Sequence, residues 1–338
     1  MRAAIVESPG NLVVRDIPDP ILEDAYQAKC EILFGATCTG TDLHIISNSL
    51  PWETPYPCVL GHESIGRVIE ANTKARHYKT GDLVQIPAIT HIPDIGSSWG
   101  GFAEFALITD FETMRSDGLD TAGANARVLP PGTDPAAATM LLTWCEGFAY
   151  IKSMGIERGT SCLLLGSGGN GLTFATAARA RGAENIVMAG NPSRDAAARV
   201  AGVTTFVDYR SEELMELLKQ ACPDGYNFVV DVVGAGDLLN DSLDLIRDGA
   251  TIGAYGLDDG FDSVLMPWNK PSFRWFSGDK DTAGAIDDVL GMMQDGSLDA
   301  GHWMDYRHPR PLEEIAQVYE ELRERATPHP KAVIRVRG

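Results

Sequence analysis

An apolar run that leads directly into closely spaced glycines constrains the fold of this chain more than any other feature. Ser161–Leu165 reads Ser-Cys-Leu-Leu-Leu without polar alternation, which is typical of a strand buried on both faces of a parallel sheet. The next six residues, from Gly166 to Gly171, read G-x-G-x-x-G, and a helical run over residues 172–181 follows. Strand, glycine turn and helix in this order predict a dinucleotide-binding loop.

Each glycine of this loop has a distinct predicted role. Gly166 permits the tight turn, Gly168 lets the backbone approach a pyrophosphate, and Gly171 allows the helix to pack closely. Gly169 and Asn170 complete the loop, and the amino terminus of the helix directs its partial positive charge towards the phosphates. We therefore expect these five residues to bind the cofactor.

Strands and helices alternate beyond the glycine loop. The apolar and periodic runs predict strands at residues 186–189, 205–207, 228–233 and 250–255, and helices at 195–200, 212–221 and 238–246. A long helical run at 136–154 precedes them. This order predicts a doubly wound parallel sheet in a domain spanning residues 135–296.

The first hundred residues have a different texture. Short apolar runs at residues 3–6, 29–34, 64–69, 82–86 and 102–107 are separated by Gly, Pro and Asp, which predicts a β-rich, barrel-like unit. Residues 110–126 lack periodicity and are expected to form an irregular loop. A final helix at 312–325 and a strand at 332–336 are expected to return to this unit, giving a domain of residues 1–134 and 297–338.

The end of the second predicted strand of the doubly wound sheet favours NADP(H). An NAD site usually has Asp or Glu there, about twenty residues beyond the glycines, to hold the ribose 2′-hydroxyl. Gly190 occupies that position, and Ser193 and Arg194 follow it. A guanidinium pairs well with a phosphate, although Arg194 as a solvated residue at a helix start is the alternative.

Charge and cysteine usage exclude several classes of partner. The formal net charge of −19 repels nucleic acid and anionic lipid, so neither is expected as a partner. No apolar run approaches membrane-spanning length and the amino terminus lacks a signal-peptide pattern, so we expect a cytoplasmic protein. The six cysteines form no C-x-x-C pair, which argues against disulfides and a zinc knuckle.

Two motifs of the first domain carry a family resemblance. Residues 39–44 read Thr-Gly-Thr-Asp-Leu-His and residues 60–63 read Leu-Gly-His-Glu. With the later glycine loop they resemble the medium-chain dehydrogenase/reductase family of zinc-type alcohol dehydrogenases. The likeness is nearest to the NADP-dependent secondary alcohol dehydrogenases, through residues 87–90, Gly190 and Tyr209. The resemblance implies an α/β fold, a Rossmann doubly wound sheet with a GroES-like β-barrel catalytic domain, and places Tyr209 near the adenosine phosphate.

The resemblance also implies roles for the residues of the two motifs. Thr41 would hydrogen-bond the substrate oxygen and His44 would pass the proton to solvent, which suits a hydroxyl and an imidazole. His62 matches a zinc-ligating histidine, Asp42 the carboxylate that orients it, and Glu63 the glutamate beside the metal. By the same likeness Cys145 lies near the nicotinamide, and family members are commonly homodimers or homotetramers.

The chain departs from its family at two zinc-ligand positions. Thr39 stands where the first ligand is expected, and Leu142 stands where the family has Cys, Asp or Glu. Neither side chain is a credible zinc ligand, so we expect the catalytic zinc to be absent. The alternative is a one-residue bulge that turns Cys38 towards His62 and Glu63 to form a metal site.

These features together predict an NADPH-dependent oxidoreductase that transfers hydride to a carbonyl, without zinc. Because zinc loss weakens carbonyl polarisation, a zinc-free iminium or enone reductase is one alternative. An NADPH-binding protein with little turnover is another. A small apolar or aromatic substrate is expected from the aromatic side chains of Trp52, Trp99, Phe111, Trp144 and Trp275.

Overall fold

The computed structural model describes residues 1–50, 52–85, 92, 94–96, 100–234, 236–257, 270–276, 278 and 281–337. The chain divides into two compact units. The first unit comprises Met1–Leu142 and Asp299–Gly338, and the second comprises Thr143–Leu298. The sequence predicts these two domain boundaries after residues 134 and 296, which is eight and two residues earlier in the chain. A 3-10 turn, Ala137–Met140, packs against strands of the first unit and extends that unit beyond residue 134.

The amino-terminal part of the first unit is rich in short strands. Its strands are β1 (Arg2–Ser8), β2 (Asn11–Asp16), β3 (Gln27–Ala36), β4 (Cys58–Val59), β5 (Glu63–Ala71), β6 (Leu83–Gln85) and β7 (Phe105–Thr109). Its helices are α1 (Thr39–Ser47) and α2 (Phe111–Ser116).

The second unit alternates helices and strands. Its helices are α3 (Leu141–Met154, which begins two residues before the division), α4 (Gly169–Ala180), α5 (Asp195–Val200), α6 (Leu214–Ala221), α7 (Gly236–Ser242) and α8 (Thr282–Gln294). Its strands are β8 (Ser161–Leu165), β9 (Asn185–Gly190), β10 (Thr205–Asp208), β11 (Tyr226–Asp231), β12 (Ile246–Ala254) and β13 (Phe273–Phe276).

The carboxyl-terminal segment completes the first unit with β14 (Arg310–Pro311), α9 (Ile315–Arg323) and β15 (Val333–Arg335). β15 pairs antiparallel with β3, in a sheet of order β14-β15-β3-β5-β6 to which β7 adds through β3. A second sheet has the order β2-β1-β4. Between them lies an apolar core that includes Ile5, Ile32, Leu60, Phe102 and Ile334, each fully buried.

The second unit is built on one parallel sheet of order β10-β9-β8-β11-β12-β13. The chain therefore starts in the middle at β8, proceeds outwards to β10, and then returns to fill the other half. All five residues of β8 are buried, as its unbroken apolar run predicts. The predicted doubly wound parallel sheet and the β-rich first unit are confirmed.

One segment is folded differently from its prediction. Residues 110–126 are not irregular throughout, because α2 occupies Phe111–Ser116. The carboxylate of Asp110 caps this helix by accepting a hydrogen bond from the Thr113 amide at 2.9 Å. A helix of six residues is too short to show apolar periodicity, so its cap is the stronger signal.

The Asp110 carboxylate is also a local anchor between neighbouring segments. It accepts hydrogen bonds from the His77 amide at 2.9 Å and from the Asn125 amide group at 3.2 Å, and Asp110 is fully buried. Burial alone would raise the pKa of Asp110, but the hydrogen bonds from the His77 and Thr113 amides lower it to about 2.

Within the described part of the chain, no helix combines the length and the apolar character that a membrane crossing requires. All six cysteines are free thiols.

Candidate active site

The first turn of α1 holds a buried carboxylate. Cys38 precedes the helix, and its amide donates to Asp42 Oδ2 at 2.9 Å, so the Asp42 side chain folds back on the start of the helix. Tyr319 Oη donates to the same oxygen at 2.6 Å. Asp42 is fully buried, and burial raises the pKa of its carboxyl. The start of this helix is therefore held by the hydrogen bonds of the buried Asp42 carboxylate.

Cys38, His62 and Glu63 lie together beside this carboxylate. His62 directly precedes β5 and Glu63 is its first residue, and both lie near the start of α1. A sulfur, a ring nitrogen and a carboxylate oxygen from these three residues all lie within 4.8 Å of one another. His62 Nδ1 is 3.8 Å from Asp42 Oδ1, an electrostatic contact rather than a hydrogen bond. The cluster has the donors of a three-ligand metal site.

A buried cation closes the other side of the cluster. Lys331 Nζ donates to Glu63 Oε1 at 2.8 Å and to Oε2 at 2.6 Å, and the side chains of both residues are at most 4% exposed. Burial opposes the charge of Lys331, but the carboxylate of Glu63 raises its pKa. Burial likewise opposes the charge of His62, whereas its hydrogen bond with Cys38 and the nearby carboxylates raise its pKa to about 10.

The remaining predicted residues of this helix have separate contacts. Thr39 Oγ1 donates to the Pro330 carbonyl at 2.9 Å, so it is not part of the donor cluster. The Cys38 thiol donates to Thr41 Oγ1 at 3.5 Å, which places the Thr41 hydroxyl at the edge of the cluster. His44 lies three residues further along the helix, with Nδ1 2.7 Å from Ser49 Oγ.

Cys145 and Trp144 are buried on α3, at 1% and 0% exposure. Burial raises the pKa of the Cys145 thiol to about 12, so the thiol is neutral near pH 7. A buried, neutral thiol is suited to packing in the core rather than to reacting as a nucleophile. Two further sequence features, residues 87–90 and Trp99, lie outside the described residues.

The glycine loop of the second unit connects β8 to α4 as expected. Gly166 has φ +124°, which favours glycine, and a side chain at Gly171 would overlap the Gly166 carbonyl. A side chain at Gly168 would meet no atom within 4 Å, which leaves its backbone open to a ligand at the start of α4. Gly169 and Asn170 form the first turn of that helix. The loop is an open cradle for a phosphate.

The end of β9 has a steric reason for glycine. A Cβ atom at Gly190 would overlap the side chain of Ser167, whose Oγ accepts a hydrogen bond from the Asn191 amide at 2.9 Å. The Tyr209 amide donates to the Gly190 carbonyl at 3.2 Å, so Tyr209 lies beside this position. An acidic side chain at residue 190 would have no space while Ser167 keeps this position.

Basic residues lie around the same strand end. Arg194 is only 8% exposed, which is not the solvated position of the alternative interpretation. Ser193 is exposed, and its amide donates to Asn191 Oδ1 at 3.0 Å. Arg210 Nε donates to Tyr209 Oη at 2.9 Å, with its guanidinium 5.0 Å from the ring centroid.

Sequence reasoning missed four residues of these two sites: Tyr319, Lys331, Ser167 and Arg210. Tyr319 and Lys331 are far along the chain from the residues that they contact, and no local motif marks them. Ser167 had a usable signal, because it lies inside the glycine loop, next to Gly166.

Comparisons with known proteins agree with this geometry. The family model "Alcohol dehydrogenase GroES-like domain" matches residues 32–115, and the model "Zinc-binding dehydrogenase" matches residues 169–275. Together they span more than half of the chain.

Two curated relatives and one solved structure illustrate the likeness. D-arabinitol dehydrogenase 1 of Uromyces fabae is 26% identical over 80% of this chain and 78% of its own. NADP-dependent isopropanol dehydrogenase of Thermoanaerobacter brockii is 27% identical over 67% of this chain and 68% of its own. The structure of a putative zinc-binding dehydrogenase from Sinorhizobium meliloti bound to NADP has a TM-score of 0.78 and 21% identity, over 99% of this chain and 98% of the other.

Proposed function

Because this chain belongs to the medium-chain dehydrogenase/reductase family, we propose that it is an NADP(H)-dependent oxidoreductase that transfers hydride between the cofactor and a carbonyl or alcohol. One observation carries the proposal: the Thr41 hydroxyl lies 3.5 Å from Cys38 Sγ, at the edge of the cluster with His62 and Glu63. A hydroxyl in this position suits hydrogen bonding to a substrate oxygen.

The choice of NADP(H) rests on the end of β9. Gly190 offers no carboxylate to repel a 2′-phosphate, and the Ser167 side chain leaves no space for an acidic side chain at residue 190. The buried Arg194 and the Arg210–Tyr209 pair supply cationic groups near that strand end. A bound nicotinamide would donate or accept the hydride.

The proton would travel through residues of α1. Thr41 and His44 are three residues apart, so they lie on the same face of the helix. We infer that Thr41 holds the substrate oxygen and that His44 exchanges the proton with solvent, since His44 is only half-buried. The Asp42 carboxylate, fixed by Cys38 and Tyr319, keeps the first turn of the helix in place.

The donor set fits a divalent metal, in contrast to the sequence-based expectation that zinc is absent. Cys38, His62 and Glu63 would hold it, since thiolate, imidazole and carboxylate are the ligands that zinc prefers. A bound metal would polarise the substrate oxygen. In this arrangement Cys38 rather than Thr39 would supply the first ligand, as in the alternative that the sequence leaves open.

A second candidate is a zinc-independent reductase of an activated C=N or C=C bond. The observation that favours it is the Lys331 ammonium, which already donates to both oxygens of Glu63, so that a metal would compete with it for this carboxylate. A substrate that is already polarised would need no Lewis acid.

Metal analysis of the purified protein, combined with a screen of NADPH oxidation, separates the two candidates. The alcohol dehydrogenase proposal predicts about one zinc per chain, its loss in Cys38→Ser, and turnover of ketones that disappears with the metal. Less than about half an equivalent of zinc, with turnover of enones or cyclic imines that survives a strong chelator, would favour the second candidate. No NADPH oxidation with any of these substrates would refute both.

Assembly and location are also proposals. We propose a homodimer, supported by β13, the outermost strand of the six-stranded sheet, where Trp275 is 44% exposed. Light scattering of the purified protein tests it.

The exposed Trp52 in the first unit supports an apolar or aromatic substrate. The free thiols support a cytoplasmic location, since disulfides persist mainly in oxidising compartments.

A further inference from the structure

Glu146, a partly buried carboxylate in the second unit, has no part in the chemistry described above. Tyr255 follows β12 directly, and its Oη donates to Glu146 Oε2 at 2.9 Å. Tyr150, one turn further along α3, donates from its Oη to the Ala254 carbonyl at 3.3 Å. α3 thus crosses the carboxyl end of β12 and carries Glu146 to that end of the sheet.

The sheet order identifies which half of a dinucleotide would lie there. β8 is the first strand, and its glycine loop receives the pyrophosphate at the point where the strand order reverses. The β9 and β10 half carries Gly190 and Tyr209, which would face the adenosine side of the proposed cofactor. The nicotinamide half would therefore lie over the carboxyl ends of β11 and β12, where Tyr255 holds Glu146.

The pair is held in position by aromatic packing. The Tyr255 ring makes edge-to-face contacts with Phe174, with centroids 4.9 Å apart, and with Tyr150, with centroids 5.3 Å apart. Glu146 and Tyr255 are each only partly exposed. A carboxylate among aromatic rings is screened less by water than a surface carboxylate, so its field acts more strongly on a nearby charge.

We propose that Glu146, positioned by Tyr255, lies beside the nicotinamide ring and stabilises the oxidised form of the cofactor. The oxidised ring carries a positive charge that the reduced ring lacks, so a carboxylate beside it favours NADP+ over NADPH. This inference rests on the proposed function, because it requires a nicotinamide dinucleotide on the sheet. It adds a residue that sets the balance between the two cofactor forms.

The test is the affinity of the full chain for NADP+ and NADPH, measured by calorimetry in wild type and in Glu146→Gln. The amide keeps the shape of the side chain and still accepts the Tyr255 hydrogen bond, so the charge alone is removed. We expect the affinity for NADP+ to fall about tenfold and that for NADPH to change by less than about threefold, the scale of a charge pair several ångströms apart in a partly buried site.

Glu157→Gln is the matched control. Glu157 is exposed on the loop between α3 and β8, at the amino ends of the strands, so Glu157→Gln removes the same charge at the end of the sheet away from the proposed cofactor. We expect both affinities to stay at the wild-type value. An equal loss of NADP+ affinity in Glu157→Gln would attribute the effect to net charge and overturn the proposal.

Tyr255→Phe tests the positioning role separately, with Tyr150→Phe as its control in the same aromatic cluster. Without the hydroxyl, Glu146 keeps its charge but loses its anchor, so the NADP+ preference should fall by about threefold, and Tyr150→Phe should leave it unchanged. The proposal is overturned if Glu146→Gln leaves the affinities for NADP+ and NADPH unchanged, or if it lowers both affinities equally. A wild-type chain that binds neither form would refute the proposed function itself, a result distinct from that one.

Discussion

The two units obtain their functional residues in different ways. In the second unit the proposed cofactor residues come from consecutive loops, between Gly166 and Arg210, and the chain reaches them within three βα turns. In the first unit the buried cluster depends on pairs separated by most of the chain. Asp42 meets Tyr319 at a separation of 277 residues, and Glu63 meets Lys331 at 268.

This difference has an energetic consequence. A local loop keeps its shape through its own backbone, so altering one of its side chains mainly affects the ligand. A buried cluster closed by distant residues couples the site to the fold, because removing one partner leaves another buried and uncompensated. Changes in the first unit should therefore affect stability, and changes in the second should affect affinity.

The largest expected effect is on the buried ion pair. Lys331→Met leaves the Glu63 carboxylate buried without its cation and should lower the free energy of unfolding by about 3–5 kcal/mol. Urea unfolding followed by circular dichroism measures it. Adding Glu63→Gln should recover most of the loss, because the uncompensated charge is then gone.

The control for this pair is Arg199→Met, which breaks an exposed ion pair with Asp195 in the second unit. Its cost should stay below about 1 kcal/mol. A loss in Lys331→Met no larger than that of the control would show that the distant segment does not hold the cluster.

The next effect is on turnover. Thr41→Ala should lower turnover of a carbonyl or alcohol about 100-fold, the usual scale for a group that moves or holds a proton. Thr39→Ala is the control, since its hydroxyl donates to the Pro330 carbonyl instead of facing the cluster. If both variants lose the same activity, the Thr41–His44 relay is not the proton path.

A third effect contrasts the two cofactors in the second unit. Arg194→Ala should weaken NADPH about 30-fold, within the range of a charge-assisted hydrogen bond, and leave NADH nearly unchanged. Arg199→Ala, on the helix that follows Arg194 directly but exposed, should change neither affinity. Equal losses for NADPH and NADH in Arg194→Ala would show that this guanidinium does not contact the 2′-phosphate.

The smallest effect tests a local anchor inside the first unit. The pKa of Asp110 is lowered from 3.8 to about 2, so its contribution to stability is fully present above about pH 4 and is lost as the pH falls through 2. Asp110→Asn should therefore lower the free energy of unfolding by roughly 2 kcal/mol at pH 7. The difference from wild type should shrink as unfolding is measured from pH 4 to pH 2.

Asp305→Asn is its control, since Asp305 is exposed and its ion pair with His308 is exposed too. It should change stability little at any of these values of pH. A constant difference for Asp110→Asn across the whole pH range would mean that packing, not the charged hydrogen bonds, explains the loss.

The parts of the fold that could be predicted are those with a local signal. The continuous apolar run of β8 and the glycines after it identify the parallel sheet, because both depend on neighbours in sequence. α2 was missed since a six-residue helix shows no period, and only its Asp110 cap marks it. The expected boundaries of the longer helices differ by a few residues where 3-10 turns precede or follow them.

The candidate site could be predicted only in part. Counting from Thr41 places Thr39 at the first ligand position, and this register led to the expectation that zinc is absent. In the structure α1 begins at Thr39, and Cys38 lies before the helix, close to His62. Counting residues along the sequence cannot decide whether Cys38 or Thr39 lies closer to His62. Tyr319 and Lys331 belong to another part of the chain and could not be assigned to the cluster from sequence.

The contact between Ser167 and residue 190 constrains the order in which this chain could exchange one cofactor for another during evolution. Gly190→Asp made first would overlap the Ser167 side chain and be purged as a damaged loop. Ser167→Gly made first loses the hydrogen bond from the Asn191 amide but removes the overlapping side chain, so that a Cβ at residue 190 would then meet Phe206 Cζ at 3.0 Å. The same substitution at residue 190 is thus harmful in one background and useful in the other, so the history of cofactor choice at this strand end is contingent on position 167.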